Sequence, residues 1–300
     1  MSQEEKQIST VSVQEIEAVV GGYHGNPFAI LGPHETADGL AVRVFYPQAQ
    51  EVTLLFQQQA LPLTRLHWDG FFEIVVPDAA LGTSYQLRVL THGGETLLYE
   101  DPYAFNSTLS DTDRYLLAEG TYEKAYEQLG AHLMTVNGVA GVRFLVWAPN
   151  AQRVSVIGEF NNWDGRRHPM RFHPGSGLWE IFVPGLAQGS LYKYEIKTKY
   201  KDYTVAKADP LAFASQMRPD TASVVWQINN YQWQDDAWMR NRAQHNALNG
   251  PIAIYELHLG SWRLKDGWEW LTYREMIGKL IPYVKEMGYS HIELLPVAEH

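Results

Sequence analysis

Short runs of apolar residues, alternating with polar ones, follow one another over most of residues 42–225, and their order occurs twice. Runs at residues 42–47 and 70–77 in the first copy match runs at 142–149 and 177–184 in the second. Gly, Pro, Asn and Asp separate the runs, which is typical of a β-sandwich. The pattern therefore predicts two tandem, immunoglobulin-like β-sandwiches.

The distance between matching positions grows along the repeat. Arg143 follows Arg43 by 100 positions, whereas Gly177 follows Gly70 by 107 and the closing Asp209 follows Asp101 by 108. We therefore expect about seven extra residues between the early and late strands of the second copy. Residues 158–165 lie in this region, and their Asn-Asn and Asp-Gly pairs predict a turn.

Helical patterns flank the sandwiches. Ser12 and Glu15 have the spacing of a capping box at the start of a short amphipathic helix, which Gly-Gly ends. Between the two copies, residues 111–130 are polar and rich in Tyr, and we expect a helical stretch near residues 122–129. Residues 227–250 are polar and indicate a linker or a surface helix.

The last fifty positions have a different pattern. Residues 251–258 and 291–297 are short, largely apolar runs, and a capping box of Thr272 and Glu275 starts a helix between them. We predict two parallel strands, buried on both faces, joined by a crossover helix. Because two such strands cannot form a stable sheet, the unit is predicted to be the truncated start of a larger α/β domain.

These patterns divide the chain into six predicted parts. In chain order they are an N-terminal helix (1–22), a first sandwich (23–106), a connector (107–130), a second sandwich (131–227), a linker (228–250) and a strand–helix–strand unit (251–300).

Composition narrows the classes of function. The net charge of −10 argues against nucleic-acid and anionic-membrane partners, which select basic surfaces. The chain has no Cys, and His168 and His173 lack a third ligand nearby, so neither a thiol nucleophile nor a metal site is expected. No apolar run approaches the length of a membrane span. We expect a cytoplasmic monomer that needs no cofactor.

Aromatic residues suggest one kind of ligand. The chain has 10 Trp and 17 Tyr, and large aromatic rings can stack on the flat apolar faces of sugars. Trp163 is predicted at a loop edge beside Asn162, where it could stack on a glucose unit. The alternative, that Trp163 folds back over the sandwich edge, stays open, since aromatic residues commonly fill cores and sheet surfaces.

The second copy resembles a known family. Its Gly-x-Phe-Asn-x-Trp sequence at residues 158–163, followed by Tyr-Lys-Tyr at 192–194, is similar to the glycogen-binding modules of starch-active enzymes and of the β subunit of AMP-activated kinase. The resemblance implies that Trp163 stacks on the sugar and that Lys193 bonds its hydroxyls. It also implies a second stacking aromatic residue, Tyr203 (Tyr200 being the alternative). Asn162 is expected to hydrogen-bond sugar hydroxyls because of its position beside Trp163.

The first copy departs from that family pattern. It lacks the Phe-Asn-x-Trp loop, and Gln86 stands at the position of Lys193. We therefore expect that the first sandwich does not bind glucan through the same surface.

Three further segments resemble the branching enzymes of the α-amylase family. Residues 255–262 are similar to their first barrel strand, residues 288–300 to the end of the first helix and the second strand, and residues 23–34 to the start of their extra N-terminal module. The resemblance implies a parent enzyme with a catalytic (β/α)8 barrel. It would cut an α-1,4-glucan such as glycogen, amylose or a maltooligosaccharide and transfer the segment to a 6-hydroxyl.

The chemistry of that family implies that this chain lacks the catalytic groups. Retaining glycosyl transfer needs two carboxylates, which in the family follow the third barrel strand and so would lie beyond His300. Glu299 and His300 are expected at the C-terminal end of a barrel strand, where they border the substrate cleft or orient the next loop. Two alternatives remain: a debranching or trehalose-releasing hydrolase, and a non-catalytic glucan-binding protein.

Overall fold

The computed structural model describes residues 9–200, 203–245 and 249–297. The chain divides into two compact units, the first extending through Asn230 and the second beginning at Tyr231. Among the described residues, no helix is long and apolar enough to cross a membrane.

Helix α1 (Val13–Val20) begins at the predicted capping box of Ser12 and Glu15. Its apolar face joins a small core with residues of the first sandwich. Val13, which the apolar stripe includes, is 67% exposed because it lies in the first turn, away from that core.

The first sandwich consists of two four-stranded antiparallel sheets, in the orders β1-β2-β6-β5 and β4-β3-β7-β8. Apolar side chains from both sheets fill one core between them, as the alternating pattern predicts. Its strands are β1 (Gly32–Thr36), β2 (Gly39–Phe45), β3 (Ala49–Phe56), β4 (Gln59–Pro62), β5 (Thr64–His67), β6 (Phe71–Val76), β7 (Gln86–Thr91) and β8 (Thr96–Tyr99).

The connector contains a helix at a different place from the one predicted. Helix α2 (Asp111–Glu119) starts at a capping box of Ser110 and Asp113 and ends at a left-handed Gly120. Within residues 122–129, where a helical stretch is expected, the structure has a single 3-10 turn, Ala125–Glu127, without a side-chain cap. The acidic first turn of α2 favours a helix there, because it complements the helix dipole.

The second sandwich repeats the two-sheet plan, with the orders β12-β13-β10-β9 and β11-β14-β17-β16 and with β15 paired to β14. Its core contains Phe144, Trp179, Tyr192 and Tyr194, all nearly inaccessible to solvent. Its strands are β9 (Gly130–Val136), β10 (Val139–Trp147), β11 (Ala151–Gly158), β12 (Arg171–His173), β13 (Leu178–Pro184), β14 (Leu191–Thr198), β15 (Thr204–Lys207), β16 (Ala214–Ser215) and β17 (Ser223–Val224).

Strand register corrects the predicted length of the insertion. Arg43 pairs with Glu73 in the first sandwich, and Leu145, not Arg143, pairs with the equivalent Glu180 in the second. The early strands are therefore offset by 102 positions, and the second copy has five extra residues rather than seven. A slip of two residues preserves which side chains face inward, so the hydrophobic pattern alone could not reveal the error.

The second unit contains the predicted parallel strand–helix–strand arrangement, with β18 and β21 paired in parallel. Its elements are α3 (Asp236–His245), β18 (Ile254–Leu257), α4 (Leu259–Trp262), β19 (Leu264–Lys265), β20 (Glu269–Trp270), α5 (Tyr273–Glu286) and β21 (His291–Leu294).

The expectation that these two strands are buried on both faces is wrong. Ile254 is 51% exposed, and Glu256 and Glu293, which lie on the same face of the strand pair, are exposed as well. The core of this unit forms chiefly between α5, which starts at the predicted capping box of Thr272 and Glu275, and one face of the strand pair. The described residues leave the other side of the pair open to solvent.

Candidate functional site

The loop that carries Trp163 leaves the end of β11 in a 3-10 turn, Glu159–Asn161. Asn162 and Trp163 both have left-handed backbones, with φ of 56° and 57°. Two consecutive non-glycine residues in this region are unusual, and such strain persists only where the surroundings impose it. The Trp163 N–H donates to Gly158 O at 2.9 Å, and the side chain is 38% exposed. Trp163 thus lies at a loop edge, as predicted.

Buried Asn161 holds this loop against β11. Its Oδ1 accepts from Gly158 N at 2.9 Å, and its Nδ2 donates to Val156 O at 2.9 Å and to His168 Nδ1 at 2.8 Å. Because the two backbone groups fix which end of the amide is oxygen, the orientation of Asn161 is determined. The side chain therefore uses its polar groups to anchor the residue next to Asn162.

His168 links the loop to the first sandwich. Burial lowers the pKa of His168 well below its ordinary value, and the charge of Arg167 lowers it further. Since Asn161 donates to Nδ1, the single proton of the neutral ring is on Nε2, which lies 3.3 Å from the hydroxyl of Tyr99 and donates to it. Tyr99 belongs to β8 of the first sandwich, so both modules support the loop.

Lys193 lies on the outer face of β14. Its neighbours Tyr192 and Tyr194 point into the core, and its Nζ donates to Thr221 Oγ1 at 2.8 Å. Lys193 pairs with Ile157, one residue before the Gly158 that anchors the Trp163 loop. The structure therefore brings Lys193, Asn162 and Trp163 to one end of the sheet.

Tyr203 is not brought to this group. It lies in the connection that follows β14, where its carbonyl accepts from Thr198 N at 2.8 Å. Five strand positions separate Lys193 from Thr198, which is about 17 Å along β14. Tyr203 is 61% exposed. The other predicted positions, Glu299 and His300, lie outside the described residues.

An ion pair orders the far side of the loop. Arg166 donates to both carboxylate oxygens of Asp164, with the closest approach at 2.8 Å. Burial alone would raise the pKa of Asp164, but the hydrogen bonds and charge of Arg166 hold it below its ordinary value. The Asp164 carboxylate therefore stays ionised near neutral pH and remains paired with Arg166.

The described residues contain no group of three His, Asp or Glu side chains placed to hold a metal ion. His168 serves the loop, and His173 Nε2 lies 2.8 Å from the Glu180 carboxylate. Both imidazoles are thus built into the framework of the second sandwich.

Two family models match the chain. The model for carbohydrate-binding module 48 (isoamylase N-terminal domain) matches residues 128–212, and that for the N-terminal domain of the alpha-1,4-glucan branching enzyme GlgB matches residues 12–103.

Curated relatives are similar along nearly the whole chain. The 1,4-alpha-glucan branching enzyme GlgB of Rhodospirillum rubrum is 51% identical over 95% of this chain and 40% of its own length, and that of Rubrobacter xylanophilus is 49% identical over 96% and 39%. The chain matches the N-terminal region of the 1,4-alpha-glucan branching enzymes.

The chain spans about 40% of the length of these branching-enzyme relatives. Among solved structures, it is similar to apo pullulanase from Klebsiella pneumoniae, with a TM-score of 0.43 and 18% identity over 85% of this chain and 32% of that chain. At that level of similarity the pullulanase structure adds nothing to the assignment.

The module-48 match contains both Trp163 and Lys193 but not Thr221, the hydrogen-bond partner of Lys193. Sequence reasoning missed Thr221, because it comes from a turn 28 positions away that carries no motif. In the first sandwich, the equivalent Gln86 donates to Glu100 Oε1 at 2.5 Å. The two modules thus share this strand position, but the first has a neutral amide there and the second a charged ammonium group.

Proposed function

We propose that this chain binds α-glucan through Trp163, Asn162 and Lys193. The observation that carries the proposal is the half-exposed indole on a strained, doubly anchored loop beside a lysine within the module-48 match. A preordered loop loses little conformational entropy when it binds, which favours affinity. The resemblance to glycogen-binding modules supports Trp163 and Lys193, and Asn162 is included because it is exposed next to the indole.

The three side chains would make two kinds of contact with the sugar, stacking and hydrogen bonds. The apolar face of the Trp163 indole would stack on the C–H face of a glucose ring, while the Lys193 ammonium and the Asn162 amide would hydrogen-bond its hydroxyls. Lys193 already holds a hydroxyl acceptor, Thr221 Oγ1, at 2.8 Å. A sugar hydroxyl could add to this arrangement, because an ammonium group has three donors. We expect glycogen, amylose and maltooligosaccharides to bind alike through short α-1,4-linked segments.

The binding proposal is tested by Trp163→Ala in the full 300-residue chain. We expect the Kd for maltoheptaose, measured by calorimetry, to rise about tenfold or more, since central aromatic contacts dominate such sites. Trp68→Ala is the matched control, because Trp68 is an exposed Trp of the first sandwich. An unchanged Kd in Trp163→Ala, or an equal loss in Trp68→Ala, would contradict the proposal.

The larger proposal is that the chain is part of a branching enzyme that cuts an α-1,4-glucan and transfers the segment to a 6-hydroxyl. The identity of about 50% to branching enzymes supports this activity over the debranching and trehalose-releasing alternatives. The two carboxylates that retaining transfer requires are expected beyond His300, so no described residue receives a catalytic role. The protein would work in the cytoplasm as a monomer, without a cofactor and without nucleic-acid or membrane partners.

We further propose that the second unit opens a (β/α)8 barrel. Its parallel β18–β21 pair with crossover helix α5 is the repeating element of such a barrel. An apolar hollow of about 450 Å³ lies between α5 and the strands, lined by Ile277, Ile281 and Leu294 among others. Later strands and helices of a barrel would cover these side chains.

The activity is tested on the whole native enzyme with linear amylose as substrate. New α-1,6 linkages at constant total glucose are expected. Loss of existing branches from glycogen, or release of trehalose, would contradict the branching proposal. An intact native mass equal to the chain's 34.2 kDa would instead favour the non-catalytic glucan-binding alternative.

A further inference from the structure

A cleft of about 500 Å³ separates the two sandwiches beside the Trp163 loop. The second sandwich lines it with Phe160, Asn162 and Arg167. The opposite wall belongs to the first sandwich, chiefly to the turn between β7 and β8, where His92 and Glu95 are exposed. Its volume is within the range of small-ligand sites. One side chain of the proposed glucan site, Asn162, therefore also lines a cleft that the first sandwich completes.

A rigid joint preforms this cleft. The buried Arg167 guanidinium lies 3.6 Å from the ring centroid of Tyr46, and its Nη1 donates to Gln48 Oε1 at 3.1 Å. A desolvated cation–π contact of this kind holds its partners firmly. The Tyr103 hydroxyl adds a hydrogen bond to Pro169 O at 3.3 Å. The two walls are thus fixed relative to each other within one compact unit.

The lining suits an uncharged, hydroxyl-rich ligand. Phe160 and Leu97 offer apolar surface, while Asn162, His92 and Glu95 offer donors and acceptors. The Glu95 carboxylate repels anions, and the guanidinium of Arg167 is already engaged by Tyr46 and Gln48. Sugar rings, which have apolar C–H faces and a polar rim of hydroxyls, match this mixture better than phosphate or acidic peptides do.

We propose that one α-glucan chain runs from Trp163 past Asn162 into this cleft and contacts the first sandwich through His92 and Glu95. Trp163 and Asn162 are adjacent in sequence, so a chain stacked on the indole can continue past Asn162 to the mouth of the cleft. The inference rests on the proposed glucan binding at Trp163. It assigns the first sandwich a direct role, although that module lacks a Phe-Asn-x-Trp loop of its own.

The test uses the full 300-residue chain, the double variant His92→Ala/Glu95→Ala and calorimetric titration with maltotriose and maltoheptaose. The Kd for maltoheptaose should rise about five- to tenfold, as expected for the loss of one or two hydrogen bonds to charged or polar groups. The Kd for maltotriose, which fills the Trp163 end alone, should change less than twofold. Thr96→Ala, an exposed change on the same turn, is the control and should leave both constants unchanged.

The outcomes separate this inference from the proposed function. If Trp163→Ala abolishes binding while the double variant binds maltoheptaose as the parent does, the inference is overturned and the proposed site stands. If maltotriose and maltoheptaose lose affinity equally in the double variant, the cleft does not act as an extension and the inference also fails. If Trp163→Ala itself binds normally, both proposals are overturned.

Discussion

The two sandwiches share a buried polar framework. In each, a tyrosine donates its hydroxyl to the aspartate of the closing Asp-Pro: Tyr85 to Asp101 at 2.6 Å, and Tyr192 to Asp209 at 2.7 Å. In each, a glutamate at the same sheet position fastens the segment before the module, since Glu73 accepts from Thr10 N and Glu180 accepts from Thr108 N. The same two joints therefore stabilise the fold of both modules.

The modules differ where the second has its insertion. The first turns directly from β3 into the short strands β4 and β5, whereas the second runs through the loop that carries Asn161, Asn162 and Trp163. Lys193 replaces Gln86 on the neighbouring strand. The sandwich is thus a scaffold common to both modules, and the glucan recognition that we propose depends on the five-residue insertion and the side chains around it.

Asn161→Ala should have the largest effect of the changes considered, because it removes three buried hydrogen bonds that exist only in the second module. We expect a loss of about 3 kcal/mol in the free energy of unfolding, measured by urea denaturation, and a weakened affinity for maltoheptaose. Glu159→Ala, an exposed change in the same loop, is the control for stability. A loss below about 1 kcal/mol in Asn161→Ala would mean that the loop does not depend on this anchor.

The free energy of unfolding should depend on pH in opposite directions through the two buried carboxylates, Asp101 and Glu180. Burial raises the pKa of Asp101 to about 6, partly offset by hydrogen bonds from Tyr85 and Tyr103. The folded state therefore binds more protons than the unfolded state, and stability falls as pH rises from about 4 to about 6, by roughly 2–3 kcal/mol. Asp101→Asn should flatten this part of the profile. A slope that Asp101→Asn leaves unchanged would contradict the assignment.

Glu180 should act in the opposite direction. Burial would raise its pKa, but hydrogen bonds from His173, Ser107 and Thr108 lower it to about 2. Its contribution is complete above the ordinary carboxyl pKa of about 4.5 and is lost as pH falls toward 2. Glu180→Gln should reduce the acid lability of the chain in urea titrations between those values, while leaving the fall between pH 4 and 6 in place.

The duplicated tyrosines offer a finer comparison. Asp101 keeps only the Tyr103 backbone N–H among the described partners when Tyr85 is lost, whereas Asp209 also accepts from Tyr194 at 3.2 Å and from Leu211 N at 2.9 Å. Tyr85→Phe should therefore cost about 2 kcal/mol and Tyr192→Phe about 1 kcal/mol, measured by denaturant unfolding. A larger loss of stability in Tyr192→Phe than in Tyr85→Phe would contradict this account of the two aspartates.

The smallest effect is expected from Gln86→Lys in the Trp163→Ala background. Restoring a lysine to the first module should not restore affinity for maltoheptaose, because no tryptophan loop lies beside it. The Kd should stay within twofold of that of Trp163→Ala alone. Recovery of binding would show that the lysine position, rather than the insertion, determines which module recognises glucan.

Local signals predicted much of this fold. The capping boxes at Ser12 and Thr272, the alternating runs and the exposed turn at Trp163 depend on neighbours a few residues apart, which a sequence displays directly. The same kind of signal was present but overlooked at Ser110 and Asp113, which start α2.

Long-range contacts could not be predicted in this way. Arg167 meets Gln48 across 119 positions, and Lys193 meets Thr221 across 28. Each pairing depends on how the two sandwiches or their turns pack, and no local pattern encodes it. The Arg43–Arg143 misalignment has a different cause. A two-residue slip keeps the inward and outward faces unchanged, and the correct offset of 102 was visible at the Pro-x-Ala of residues 47–49 and 149–151. The boundaries of the six predicted parts and the roles of Glu299 and His300 stay predictions.

The central claim is that the second module's tryptophan, and not an exposed tryptophan of the first, meets the glucan. The most direct measurement is NMR of the full chain labelled with fluorotryptophan, with the Trp163 and Trp68 signals assigned from their alanine variants, during titration with maltoheptaose. We predict a saturable shift of the Trp163 signal and a Trp68 signal that does not move. A stationary Trp163 signal, or a Trp68 signal that shifts with the same saturation curve, would contradict the account.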